Sequence, residues 1–137
     1  MIQIDERVKG HIQELITSGV ITGVYSGDVY TSSEGVTEFL GDTKIYVLTN
    51  TIEKPLSFLH PSDRVANILI IVISDDKTKA HNVAGLVYNS IGSKLDRDDK
   101  IISWIDTDEE YTPLLDSQRN MTDFQIARTF VIDYEIE

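Results

Sequence analysis

The chain has 137 residues, with 23 Asp and Glu against 12 Lys and Arg, a formal net charge of −11 and no cysteine. That length suits one domain, 1–137, able to bury its own core. The missing thiols exclude disulfides, thiolate nucleophiles and thiolate metal sites, and the charge argues against tight nucleic-acid binding, which needs clustered Lys and Arg to displace counterions from phosphates.

Taken in chain order, Ile4 to Ser18 reads as a helix. Val8, Ile12, Leu15 and Ile16 recur at spacings of three and four, Asp5 and Glu6 suit the positive end of the helix dipole, and Gly19 is the expected stop. Gly10 weakens the pattern by about 1 kcal/mol relative to alanine. Val20 to Tyr30 reads as extended, with Gly23 and Gly27 as bends, and Thr31 to Thr43 as a long polar loop. Lys44 to Asn50 is an expected strand. Ile52 to Ser62, with Pro55 and Pro61, is an expected irregular connection. Arg64 to Ser74 is the clearest strand: Ile68, Leu69, Ile70, Ile71, Val72 and Ile73 are apolar on both faces, which predicts a central strand covered on each side. Asp75 and Asp76 open a helix over Thr78 to Lys94, with Ala80, Val83, Ala84, Val87, Ile91 and Leu95 on its inner face. Lys100 to Ile105 is a short strand holding the lone Trp104, and Asp106 to Asp123 reads as a polar loop containing Pro113. The last strand, Phe124 to Ile136, puts Phe124, Ile126, Phe130, Ile132, Tyr134 and Ile136 on one face, with Arg128 the exception.

This order predicts an α+β fold: a single mixed, mainly antiparallel sheet packed with two helices and carrying long polar loops. The early charges after Met1 leave no signal-peptide core. The longest apolar run, Ile68 to Ile73, is too short to span a bilayer. A soluble protein, cytoplasmic at synthesis and without a membrane partner, is therefore expected.

No catalytic constellation emerges. His11, His60 and His81 are scattered, none with a second ligand at metal spacing, and His11 and His81, both on expected helices, read as surface or boundary residues. Gly85 and Gly92 lack the strand-to-helix setting of a phosphate loop. Ser26 lacks the spacing of a nucleophile elbow. No catalytic, cofactor-binding or metal-binding residue is assigned and no cofactor is expected. The acids need more weighing. Between Leu95 and Asp123 stand nine acids and three bases, a net −6 and more than half of the whole chain's charge. Asp106, Asp108, Glu109 and Glu110 are the densest group. Paired carboxylates can hold Mg²⁺ or Ca²⁺ or move protons, but the calcium-loop spacing fails, and a two-metal nuclease would want bases to hold its substrate. A solvated acidic loop is the plainer reading. In a homo-oligomeric ring that turned this segment inward, the lumen would be strongly negative.

An N-terminal helix leads into Gly23-Val-Tyr-Ser-Gly-Asp-Val-Tyr30. A strand runs straight into a helix from Val65 to Ile91. A short strand with Trp104, an acidic segment and a closing strand, Phe130-Val-Ile-Asp-Tyr-Glu-Ile136, follow. In size, element order and texture, over nearly its whole length, the chain resembles the tail terminator (tail completion) proteins of long-tailed bacteriophages. That resemblance implies a virion protein made in the host cytoplasm and residing at the head-proximal end of the tail. Its members form a ring, typically of six, that caps the tail tube, ends polymerisation of the tail tube protein and offers an interface to the head connector or stopper protein. It implies no enzyme activity. DNA would pass through without specific binding, and Asp106, Asp108, Glu109 and Glu110 are the candidate lumen or interface segment, where acids would keep DNA from sticking. The long stretches Ser32 to Asp42 and Pro113 to Thr122 are candidates for contacts with the neighbouring subunit or the tube below, and unprotected sheet edges for pairing between subunits. A head completion or stopper protein of the head–tail joint fits the same composition, and a small acidic metal-binding module is the third reading.

Overall fold

The computed structural model describes residues 3–32, 41–53, 63–107, 110–115 and 121–135. Helix α1, Ile4–Thr17, buries Ile4, Val8, Ile12 and Leu15, the stripe its periodicity predicts. It ends as a helix closed by glycine should. Gly19 takes φ +85°, its N–H donates to the Ile16 carbonyl at 3.1 Å, and the next N–H, of Val20, donates to Leu15 at 3.0 Å. These paired bonds satisfy carbonyls the helix leaves open.

The extended run expected from Val20 is mostly not strand. Gly23 is a second left-handed residue, at φ +87°, so the chain turns twice, makes a single 3₁₀ turn at Ser26–Asp28 and enters the sheet only as β1, Val29–Thr31. Strand β2, Thr43–Glu53, runs parallel to β1 and antiparallel to β3, Asp63–Ser74. It passes the expected end at Asn50 through an irregularity between Thr49 and Thr51. Helix α2, Lys77–Arg97, starts where Asp76 accepts the N–H groups of Thr78 at 2.9 Å and Lys79 at 3.2 Å, satisfying donors the first turn cannot. Strands β4, Ile101–Asp106, β5, Glu110–Leu115, and β6, Met121–Glu135, complete the fold.

The result is α+β: one mixed sheet in the order β1-β2-β3-β6-β4, with β5 also against β6. Strands β3 and β6 pair over twelve positions, from Asp63 with Glu135 to Ser74 with Phe124. Because β4 also runs antiparallel to β6, β3 and β4 are parallel, and α2 is the crossover between them around β6, a split βαβ unit. No helix among the described residues is long and apolar enough to cross a membrane.

The core lies on one face of the sheet. Ile45, Val47, Ala66, Ile68, Ile70, Val72, Ile126, Phe130, Ile132 and Tyr134 pack with the inner stripes of both helices. Tyr88 of α2 reaches the sheet, its O–H shared between the carbonyls of Ile70 (2.9 Å) and Ile126 (3.0 Å). The opposite face differs in what covers it. Strand β3 is indeed apolar on both sides, with Leu69 and Ile73 half-buried and Ile71 buried on the second. Yet the helices share a core only with the first.

Trp104 lies over α2. Its indole N–H donates to Asp96 Oδ1 at 2.7 Å, and a Cβ on Gly92 would stand 2.9 Å from two of its ring carbons. Gly92→Ala therefore gains about 1 kcal/mol of helix propensity but forces the ring out of place, at about 1–3 kcal/mol for overpacking. The expected outcome is a net loss of about 1 kcal/mol in urea unfolding, with a shift in emission from the chain's one tryptophan.

Candidate functional site

Of the acidic segment picked out by composition, the two described residues, Asp106 and Glu110, fall on the outer strands of the sheet. Asp106 is the last residue of β4 and is exposed. Glu110 is the first of β5, paired with Ala127. Asp108 and Glu109 lie outside the described residues. Expecting Asp106 to Asp123 to be loop was wrong: Glu110–Leu115 is strand, and β6 begins at Met121. Acid density and Pro113 mask β-forming Tyr111, Thr112, Leu114 and Leu115. Proline is tolerated here because β5 is an edge strand, where one row of N–H groups has no ladder partner. Among the described residues, β4 and β5 both pair only with β6. They run along it as one line in two pieces.

The register on either side of the break is defined by described residues. Asp106 pairs with Phe130 and Glu110 with Ala127, so the register moves by one residue between them. Thr107 closes the β4 side, its N–H (3.0 Å) and hydroxyl (2.9 Å) both donating to the Thr129 carbonyl. Arg128 is the β6 residue that faces the shift. It lies between Ile126 and Phe130 on the helix-covered side, opposite Ile70, which explains its place as the exception in an apolar row. Its guanidinium carbon stands 4.8 Å from the centre of the Tyr88 ring, a cation–π seat. One Nη is 3.5 Å from Asp106 Oδ2. Its Nε is buried and, among the described residues, has no hydrogen-bond acceptor. Sequence reading noted Arg128 but gave it no role, because its partners lie 22 and 40 positions away in the chain.

A second polar centre was missed altogether. The Asp98 carboxylate, fully buried, accepts from Arg7 through Nε and an Nη, both at 2.5 Å. It also meets His11 Nε2 at 2.6 Å and the Lys100 N–H at 3.0 Å. It ties α1 to the junction of α2 and β4. Burial pushes its pKa up, but Arg7, His11 and the Lys100 N–H outweigh that and hold it well below the usual carboxylate range. His11, half-buried, is the boundary histidine expected, with a specific acidic partner. No local signal could reveal this centre, since Arg7 and Asp98 are 91 residues apart. Its closed geometry, every carboxylate lone pair taken, suits a structural tie and not a reacting group.

Other features are weaker. A depression of about 400 Å³ is lined by Gly23, Val24, Tyr25, Gly41, Asp42 and Lys79, but its two charges neutralise each other in an ion pair of 2.5 Å. Among the described residues no three His, Asp or Glu side chains converge as a metal cluster.

No family model matches the chain, and no curated protein does. A solved structure matches in fold. One chain in the virion of a native gene transfer agent (GTA) particle superposes with a TM-score of 0.63 at 12% identity, over 93% of this chain and 91% of that one. The fold is shared with a virion component. At that identity the likeness is one of fold alone, over nearly the full length of both chains.

Proposed function

We propose that this chain is a structural protein of a phage-like virion, and that it forms a ring capping the tail tube. The ring ends polymerisation of the tube protein and presents a surface to the head connector. The observation that carries this reading is the fold shared with a chain of the gene transfer agent virion across 93% of this chain. The placement of the acids supports it. Asp106 is exposed at the open sheet edge, and a lumen margin lined with such carboxylates would repel a passing phosphate backbone and not hold it. The chain's −11 charge points the same way.

The likeness is to a component of a whole particle, so it equally favours a head completion or stopper protein of the head–tail joint. Ring symmetry separates the two, six-fold for the terminator and twelve-fold for a connector-bound ring. The test is to add purified protein to polymerising tail tube protein. The proposed role predicts shortened tubes with a six-fold ring on one end in electron micrographs. Tubes of unchanged length without end rings contradict it, and a twelve-fold ring moves the protein to the head side of the joint.

A further inference from the structure

The sheet has two edges, and they differ. Strand β1 is short and its three residues are all buried, with Thr31 donating to Glu6 of α1 at 2.8 Å. The β4 edge is open. Among the described residues nothing pairs with its outer side, and Ile102 (53% exposed) and Ile105 (67%) both lie on it. A groove of about 370 Å³ between the end of α2 and this strand is lined by Leu95, Asp96, Ile101, Ile102, Ser103 and Trp104. Natural edges are blunted by charge, proline or cover, whereas β4 offers two bare isoleucines beside unpaired backbone.

Arg128 stands where this edge breaks. Among the described residues the buried Nε has no acceptor, and the carboxylate within reach of the guanidinium, that of Asp106, is 3.5 Å away on an exposed side chain. A buried donor without an acceptor costs free energy, and arginine on an aromatic seat is the group best shaped to grip a carboxylate through two parallel bonds. The fold holds that seat rigidly, because the Tyr88 O–H is bonded to the sheet backbone.

We propose that the β4 edge is where a second copy of this chain docks, with Ile105 as the apolar anchor and Arg128 gripping an Asp or Glu carboxylate of that copy at the β4–β5 break. A single cation beside Asp106 is no phosphate site, which needs several. A neighbour carrying 23 acids supplies the charge that Arg128 lacks. The acidic segment then stands at the margin where the contact between copies meets the lumen. This inference rests on the ring reading above.

The experiment compares wild type with Ile105→Ser and Arg128→Lys by sedimentation velocity over a concentration series, alone and on tail tubes. Both variants keep the fold: Ile105 is exposed, and lysine at 128 keeps a cation beside Tyr88 while removing the planar fork that grips a carboxylate through two bonds. Urea midpoints at or above wild type check this. Each variant is expected to raise the concentration for half-assembly tenfold or more. If wild type assembles and both variants match it within twofold, the inference fails and the ring reading stands. If both variants self-assemble normally but lose binding to tubes, the edge takes the tube protein and the second copy is wrong. If wild type assembles in neither setting, the ring reading fails and takes this inference with it.

Discussion

Asp98→Ala will lower the unfolding free energy at pH 7 by about 3 kcal/mol, near the low end for removing one partner of a buried ion pair. The carboxylate is fully buried, and its loss takes the acidic partner from His11 and leaves Arg7, among the described residues, with only the exposed Asp99 at 3.4 Å. The partial exposure of Arg7 and His11, 33% and 17% of the side chain, lets water recover part of the loss, which keeps the effect from the top of the range. The effect carries a pH signature. Because the folded carboxyl titrates well below its ordinary range, the Asp98 contribution is fully present above the unfolded-state value of about 3.9 and is lost as pH falls toward the lower folded value. Urea unfolding at pH 7, 4 and 3 will show wild type and variant converging at the acid end. A difference under about 1 kcal/mol at pH 7, the range of an exposed surface pair, would show that the centre is no keystone.

Phe130→Ala will cost about 3–5 kcal/mol, as large-to-small changes at fully buried aromatics do. Phe130 is 1% exposed and sits mid-strand on the core face. Its ring lies 6.3 Å from that of Tyr88 and 6.0 Å from that of Trp104, distances at which tilted aromatic pairs attract beyond their buried area. Its removal opens a cavity beneath α2 and loosens the tryptophan from below. Denaturant unfolding will report the loss, and native-state emission will report the tryptophan's new surroundings. A cost under about 1.5 kcal/mol would mean that the neighbours collapse into the gap.

Long periodic elements were legible in the sequence, and short or composite ones were not. The stripe Val8, Ile12 and Leu15 located α1. The run from Ala80 to Leu95 located α2, and the alternation from Phe124 onward located β6, because each repeats one physical period over several turns or residues. β1 was overextended because Val24 and Tyr25 carry strand propensity into a segment that Gly19 and Gly23 turn back on itself. β5 was hidden because charge and proline outvote β-formers in any local reading, while an edge strand tolerates both. For β3 the apolar residues of both faces were legible; among the described residues the helices lie on one side, and Ile71 is buried on the other. The candidate segment was visible as charge at Asp106 and Glu110. Its geometry was not, since the register shift depends on β6 and the seat of Arg128 on Tyr88 of α2. The Asp98 centre joins residues from both ends of the chain, a relation that only the fold creates.

The most direct test of the central claim is the mass of the assembled species, taken by light scattering on the purified protein over a concentration series and after incubation with tail tubes, with electron microscopy of whatever forms. Particles of about six protomers, seen as rings, alone or seated on tube ends, are the expected result. A protein that stays a monomer at every concentration and leaves the tubes bare would contradict it.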